Sequence, residues 1–132
     1  MSRVRVLLAD DHADFLALEA QLLEPEFDVI EKVCDGRASL AETARLKPDI
    51  LVLDITMPKI NGIEAARRLR ASGAEVKVVF LSVHEDADYV RAAVDAGALG
   101  YVVKCRIASD LLPALRAASA GRSFFSPGIN LE

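Results

Sequence analysis

Four charged residues and one hydroxyl residue occur at the ends of short apolar runs in this sequence. Asp10 and Asp11 follow one run, Asp54 follows another, Ser82 ends a third, and Lys104 follows a fourth. Carboxylates, a hydroxyl and an ammonium are the groups that phosphoryl transfer to an aspartate requires, because that chemistry rests on positioning and charge stabilisation. Each residue alone could merely begin a turn or cap a helix. Their joint chemistry depends on whether the fold brings them together.

The carboxylates among these residues indicate a metal site if they meet. Three carboxylates in one crevice repel one another, and the repulsion raises the pKa of at least one of them unless a cation neutralises the cluster. An all-oxygen site made by Asp10, Asp11 and Asp54 suits a hard divalent ion. Mg²⁺ (or Mn²⁺) is expected, since Mg²⁺ binds through one or two carboxylates plus phosphate oxygens and keeps several waters. Lys104 adds a positive charge at the rim.

The apolar runs have the length and composition of buried strands. The predicted strands are Val4–Ala9, Val29–Cys34, Ile50–Leu53, Val76–Leu81 and Gly100–Val103. Segments with helical spacing alternate with them, the fourth stopping at Gly97 and the fifth near Gly121. This alternation predicts right-handed βαβ units and a parallel sheet covered by helices on both faces. We therefore expect a flavodoxin-like, doubly wound (βα)5 α/β fold of sheet order 2-1-3-4-5, with strands 1 and 3 flanking the ligand-binding crevice.

Length, charge and cysteine content restrict the classes of protein. The 132 residues fit one domain, and 16 Lys+Arg against 20 Asp+Glu give a net charge of −4, so the chain has no basic field for nucleic acid or an anionic membrane. No apolar stretch approaches the roughly 20 residues of a membrane span, and no signal peptide begins the chain, which predicts a cytoplasmic protein. Cys34 and Cys105 form no CxxC cluster and are interpreted as ordinary thiols.

The ordered motifs make this sequence similar to a known family. They are Asp10-Asp11, Leu53-Asp54-Ile55-Thr56-Met57-Pro58 with Gly62, Ser82, Tyr101 and Lys104. From about residue 3 to residue 121 the sequence resembles the receiver domain of two-component response regulators. Further motifs resemble the NarL/FixJ (LuxR-type) branch, whose members usually carry a C-terminal helix-turn-helix that binds DNA. These motifs are Ala-Asp-Asp-His at 9–12, Gly-Ala-Leu-Gly-Tyr at 97–101, and Ala-Gly at 120–121 before Phe-Phe-Ser-Pro at 124–127.

The resemblance implies a role for each residue of the acidic cluster. Asp54 is expected to be the phosphoacceptor, its carboxylate attacking a phosphoryl group carried on a histidine of a sensor histidine kinase. Asp11 is expected to ligate Mg²⁺ directly and Asp10 through water. Asp54 and the backbone carbonyl of Thr56 would complete the protein's share of the ligands. Lys104 is expected to pair with the acyl-phosphate oxygens as a compact point charge.

The resemblance also implies a switch made by Ser82 and Tyr101. A hydrogen bond from Ser82 to the phosphoryl group would draw the strand 4 to helix 4 loop inward, and Tyr101 would turn into the space left behind. Phosphorylation would then bias two arrangements of the helix 4, strand 5, helix 5 face. Taken alone, Tyr101 is interpreted as a half-buried tyrosine with a wet hydroxyl. Val83 and His84 are candidates for modulating the phosphoryl lifetime, although a solvent-exposed loop histidine is the simpler interpretation of His84.

The whole chain is therefore expected to be a phosphorylation-activated switch for transcription regulation. It would catalyse only its own phosphorylation and dephosphorylation, so no turnover enzyme is expected. Expected partners are the sensor histidine kinase, a second copy of the chain on phosphorylation, and DNA only through a C-terminal domain outside this chain, with no membrane. The receiver domain is expected at residues 1–121. Residues 122–132 would begin a linker or form an appended tail ending in Leu131-Glu132.

Two features near the first strand have open interpretations. Helix 1 has a broader apolar arc than a one-sided helix needs. Leu16 and its neighbours could dock the kinase's helical phosphotransfer domain, or the arc could face the core. His12 is interpreted as a residue that starts this helix.

Three other functions are weighed against the receiver hypothesis. A haloacid-dehalogenase-type phosphatase also uses an aspartyl-phosphate, but its nucleophile follows the first strand and an aspartate commonly lies two residues later. Here Asp54 follows strand 3 and Thr56 is at that position. A flavin binder of the same sheet order needs a phosphate loop rich in hydroxyls and glycine, whereas Asp10 and Asp11 would repel a phosphate. A non-phosphorylated protein-interaction module is disfavoured because all the chemical residues are present.

Overall fold

Strands and helices alternate along the chain in a computed structural model that describes residues 3–129. The strands are β1 Arg5–Ala9, β2 Asp28–Val33, β3 Ile50–Leu53, β4 Lys77–Ser82, β5 Gly100–Val103 and β6 Phe124–Phe125. The α-helices are α1 Ala13–Leu23, α2 Gly36–Leu46, α3 Gly62–Ala71, α4 Ala87–Asp95 and α5 Ile107–Ser119, with a 3-10 turn at Lys104–Arg106. Leu131-Glu132, the end of the expected tail at 122–132, lie outside the described residues. None of the helices within 3–129 combines the length and apolar character that crossing a bilayer requires.

The six strands form one parallel sheet in the order β2-β1-β3-β4-β5-β6. The predicted order 2-1-3-4-5 and the doubly wound architecture are confirmed. β1 and β3 are neighbours in register, with Ala9 opposite Leu53, so the residues that follow these two strands emerge side by side. Five strand boundaries differ by one residue from the prediction. β1 begins at Arg5, β2 runs from Asp28 to Val33 and so leaves out the exposed Cys34, and β4 runs from Lys77 to Ser82.

The sheet separates two apolar cores because successive side chains of a strand point to opposite faces. Leu7 and Leu51 face one core, which helices α2, α3 and α4 cover, while their neighbours Leu8 and Val52 face the other, which α1 and α5 cover. Leu16 of α1 is buried in the second core. The broad apolar arc of helix 1 therefore faces inward at Leu16, and the interpretation of Leu16 as a kinase-docking residue is wrong.

The segment after α5 adds a short sixth strand that the sequence analysis did not predict. Phe124 N–H donates to the Leu99 carbonyl at 3.1 Å, and Ser126 N–H donates to the Tyr101 carbonyl at 2.9 Å. The Ser126 hydroxyl donates to Asp110 Oδ2 at 2.7 Å and accepts from Val103 N–H at 3.1 Å. The described part of the expected linker thus pairs with β5 through residue 126. A run of two phenylalanines is too short to show strand periodicity, which explains the omission.

The loop after β3 is folded tightly against the backbone of Asp54. Gly62 N–H donates to the Ile55 carbonyl at 2.7 Å, and the Asn61 side chain caps α3 by accepting from Glu64 N–H at 2.9 Å. A Cβ atom at position 62 would lie 2.0 Å from the Asp54 carbonyl oxygen. Glycine is required at position 62 because only a residue without a side chain permits this approach.

We predict that Gly62→Ala lowers the free energy of unfolding by about 2–4 kcal/mol, because the new methyl group must push the Asp54 backbone away. Gly100→Ala is the matched control, since its Cβ would meet the Val79 side chain at 3.1 Å and the Phe124 carbonyl oxygen at 3.3 Å, both much farther than the 2.0 Å approach at position 62. Urea unfolding of both variants measures the difference. Equal losses of stability in the two variants would contradict this account of Gly62.

Candidate functional site

Lys104 is held between two buried carboxylates at the carboxyl-end edge of the sheet. Its Nζ lies 2.8 Å from Asp10 Oδ2 and 3.3 Å from Asp54 Oδ2. Asp10 follows β1, Asp54 follows β3, and Lys104 follows β5, so three parallel strands deliver the three side chains. Asp54 N–H donates to the Ala9 carbonyl at 2.9 Å, which keeps the two strand ends level. The structure brings together these three predicted site residues.

Asp11 and His12 complete an acidic cluster around Asp10 and Asp54. One ligand atom from each of the four residues lies within 4.8 Å of the others. His12 is the N-cap residue of α1, as the sequence predicted, and its Nδ1 also lies 3.0 Å from Asp11 Oδ1. Asp10 and Asp54 are buried while Asp11 and His12 are exposed, so the cluster opens to solvent on one side. Three carboxylates of this kind fit the oxygen preference of a hard divalent cation.

The electrostatics of the cluster follow from its burial. Burial raises the pKa of Asp54 to about 6, and the charge of Asp10 adds to this rise while Lys104 opposes it. Burial alone would lower the pKa of Lys104, but Asp10 and Asp54 outweigh this effect and raise the pKa above its ordinary value. The ammonium therefore stays charged, and the mutual repulsion of carboxylates expected from the sequence is present at Asp54.

Glu19 is a buried carboxyl group near this cluster that the sequence analysis missed. It lies on α1 with 1% of its surface exposed, and neither side-chain oxygen has a hydrogen-bond partner within the described residues. Burial raises its pKa to about 9, and the charge of Asp10 contributes in the same direction. The feature of the sequence that could have revealed its burial is its position on the same helical face as Leu16 and Leu23. At neutral pH this side chain is protonated.

Ser82 and Tyr101 are joined through the backbone of His84. The Tyr101 hydroxyl donates to the His84 carbonyl at 2.7 Å, and His84 N–H donates to Ser82 Oγ at 3.1 Å. Both Ser82 and Tyr101 are completely buried. Burial raises the pKa of the Tyr101 phenol, against the opposing effect of its hydrogen bond with Ser82. The interpretation of Tyr101 as half-buried with a wet hydroxyl is wrong, because the His84 carbonyl replaces water as the partner of that hydroxyl.

His84 is a packed side chain rather than a free loop histidine. Its ring is half-buried and stacks on Tyr89 with the centroids 3.9 Å apart, and Nε2 lies 3.1 Å from Thr56 Oγ1. The solvent-exposed interpretation is therefore wrong, since α4 supplies an aromatic partner that the local sequence does not reveal. Val83 is 64% exposed beside it. His84 thus connects the loop after β3 to the loop after β4.

We predict that the stability of the protein falls as pH rises from about 4.5 to about 9 because of Glu19. In this window the unfolded chain has released the Glu19 proton while the folded chain retains it, so each rise in pH favours unfolding, by up to about 1.4 kcal/mol per pH unit. Glu19→Gln removes this slope and is more stable than wild type at neutral pH. Denaturant unfolding across this range measures the effect.

The matched control is Glu24→Gln, at an exposed residue that ends α1. A pH dependence of stability that Glu19→Gln leaves unchanged would contradict the assignment.

Comparisons with known proteins agree with the geometry of the site. Residues 6–116 match the family model of the response regulator receiver domain. The transcriptional regulatory protein DegU of Brevibacillus brevis is 34% identical over 130 residues, which are 97% of this chain and 55% of that protein. This chain therefore spans little more than half of that relative.

Two solved structures show the same fold. A LuxR-family two-component response regulator from Aurantimonas sp. SI85-9A1 superposes with a TM-score of 0.91 at 32% identity, over 97% of this chain and 93% of that one. The signal receiver domain of the NarL response regulator from Mycobacterium tuberculosis superposes with a TM-score of 0.88 at 27% identity, over 92% of this chain and 100% of that one. The family and the branch expected from the sequence motifs are both supported.

Proposed function

This chain belongs to the response regulator receiver domain family, and we propose that it is a phosphorylation-activated switch whose phosphoacceptor is Asp54. One observation carries the proposal: the Asp54 carboxylate is buried at the end of β3, 3.3 Å from the Lys104 ammonium and within an acidic cluster. The proposed nucleophile Asp54, the charge of Lys104 and the candidate cation ligands thus lie together at the carboxyl ends of neighbouring strands. Those groups supply the positioning and charge stabilisation on which phosphoryl transfer depends.

The proposed reaction uses a carboxylate oxygen of Asp54 as the nucleophile. It attacks the phosphorus of a phosphohistidine on a sensor histidine kinase. A new O–P bond forms as the P–N bond breaks, and the bonding electron pair leaves with the imidazole nitrogen. With the other ring nitrogen protonated, the products are an acyl phosphate on Asp54 and a neutral histidine on the kinase. Lys104 stays charged and pairs with the oxygens of the transferred group.

The charge of the pocket supports binding of Mg²⁺ (or Mn²⁺). Three carboxylates, from Asp10, Asp11 and Asp54, stand against the single ammonium of Lys104, which leaves two negative charges uncompensated. Glu19 adds no charge because it is protonated. These carboxylates and the backbone carbonyl of Thr56 would hold the ion, which when bound stabilises the charge that develops on the phosphoryl oxygens.

The proposed output of phosphorylation passes through Ser82 and Tyr101. Ser82 Oγ accepts a hydrogen bond from His84 N–H, and its own hydroxyl hydrogen would turn from the Tyr101 phenol to a phosphoryl oxygen. Movement of Ser82 would therefore shift the His84 carbonyl, which accepts the hydrogen bond from the Tyr101 hydroxyl. The rearranged surface would be that of α4, β5 and α5. Val83 and His84 border the same loop and are proposed to modulate the phosphoryl lifetime.

The activity of the whole protein is proposed from the relatives. DegU is named a transcriptional regulatory protein, and this chain spans 55% of its length. We propose that the complete protein regulates transcription in the cytoplasm through a DNA-binding domain, that it pairs with a second copy when phosphorylated, and that a sensor histidine kinase is its phosphodonor. In this proposal the receiver domain, placed at 1–121, turns over no separate substrate.

We predict that wild-type protein incubated with Mg²⁺ and acetyl phosphate gains one phosphoryl group by intact mass, because Asp54 presents a buried carboxylate nucleophile. Asp54→Asn gains none. Asp49 lies at the amino end of β3, opposite to the carboxyl end where Asp54 lies, so Asp49→Asn is phosphorylated like wild type. A wild-type chain that stays unmodified, with a donor shown to phosphorylate another receiver, sinks the proposal. Release of many equivalents of phosphate from a small ester, abolished by Asp54→Asn, would instead indicate a phosphatase.

We predict that Asp11→Asn raises the Mg²⁺ concentration needed for half-maximal phosphorylation by about tenfold, because one charged ligand becomes neutral. Asp14→Asn, an exposed carboxylate in the first turn of α1 outside the cluster, leaves that concentration unchanged. The measurement is the initial rate of phosphorylation across a Mg²⁺ titration. Equal shifts in the two variants would indicate a general charge effect and contradict the assignment of Asp11 as a ligand.

A further inference from the structure

The ring of Phe15 lies over the ammonium of Lys104. The distance from Lys104 Nζ to the ring centroid is 4.3 Å, within the range at which an aromatic face attracts a cation. Phe15 is half-buried in the first turn of α1, where its N–H donates to the His12 carbonyl at 3.1 Å. The His12 ring meets it edge-on, with the centroids 6.4 Å apart. The start of α1, which follows the cluster residues Asp11 and His12, therefore also positions the Phe15 ring.

The ammonium is thus enclosed by groups from three segments of the chain. Asp10 and Asp54 approach it with carboxylate oxygens, and Phe15 approaches it with an aromatic face. Lysine has a flexible four-carbon stem and a strongly hydrated ammonium, so its position depends on the groups around it. The two carboxylates are also the groups proposed to interact with a divalent cation, and such interaction weakens their hold on the lysine. The contact with Phe15 is independent of that competition.

We propose that Phe15 is a positioning residue for phosphoryl transfer, holding the Lys104 ammonium within reach of Asp54. This inference rests on the proposed function of Asp54. The ring attracts the ammonium through its face and shields it from water on that side. A purely structural role is the alternative, because Phe15 also packs against the core between α1 and α5. Substitutions that separate the aromatic face from apolar bulk distinguish the two roles.

The rate of phosphorylation by acetyl phosphate with saturating Mg²⁺ is the first measurement. It is followed by intact mass, since the chain has no tryptophan to report the reaction. Phe15→Leu keeps apolar bulk and is expected to slow phosphorylation by about three- to tenfold. Phe15→Tyr keeps the aromatic face and is expected to stay within about twofold of wild type. Leu22→Ala, at another half-buried position of α1 packed on the same core, is the matched control and is expected to change the rate little.

A double-mutant cycle tests whether Phe15 acts through the ammonium. In a Lys104→Gln background no cation faces the ring, so Phe15→Leu is expected to cause no further loss of rate. A structural role predicts the same loss in both backgrounds. The proposal is overturned if Phe15→Leu is equally harmful with and without Lys104, or if Phe15→Tyr is as slow as Phe15→Leu.

A second measurement needs no phosphorylation. Protons beside the Lys104 ammonium lie over an aromatic face, so their NMR resonances are expected upfield in wild type and in Phe15→Tyr and at ordinary positions in Phe15→Leu. Unchanged shifts in Phe15→Leu overturn the contact itself, whether or not the protein is phosphorylated. A wild-type chain that takes up no phosphoryl group, with the upfield shift intact, overturns the proposed function of Asp54 and with it the positioning role. Normal phosphorylation of Phe15→Leu overturns the positioning role alone.

Discussion

The Lys104 ammonium, shared by the buried carboxylates of Asp10 and Asp54, organises the carboxyl ends of the strands in this sheet. Burying a lone charge is costly, so Asp10 and Asp54 depend on Lys104 and Lys104 depends on them. The in-register pairing of β1 with β3 places the carboxylates side by side, and β5 brings the lysine to them. The fold therefore fixes a charge arrangement that no single segment of the chain could maintain.

Around this ion cluster the protein controls which groups carry charge. Asp11 and His12 lie at the open side, where water is available, whereas Glu19 lies in the interior and keeps its proton. The pocket retains an excess of negative charge that is confined to the side from which a cation or a phosphoryl donor would approach. The loop after β3 packs against the Asp54 backbone through the close approach of Gly62, and this contact supports the position of Asp54.

The sequence predicted the features that follow from backbone topology. Buried strands alternating with helices imply the sheet order, and the sheet order implies that residues after strands 1 and 3 meet; Asp10 and Asp54 do so. Features that depend on side-chain packing between distant segments were not predictable in this way. The burial of Tyr101 depends on a carbonyl from the loop after β4, and the environment of His84 depends on Tyr89 of α4 and on Thr56. The neutral state of Glu19 could not be predicted from the sequence, because it arises from burial in the assembled core.

The pairing of the C-terminal segment with β5 has a mechanical consequence. Ser126 is bonded through its backbone to the Tyr101 carbonyl and through its hydroxyl to Val103 N–H and Asp110. The segment is thus hydrogen-bonded to the strand that carries Tyr101 and to the helix that follows. A displacement of β5 would therefore carry residues 124–126 with it through these hydrogen bonds.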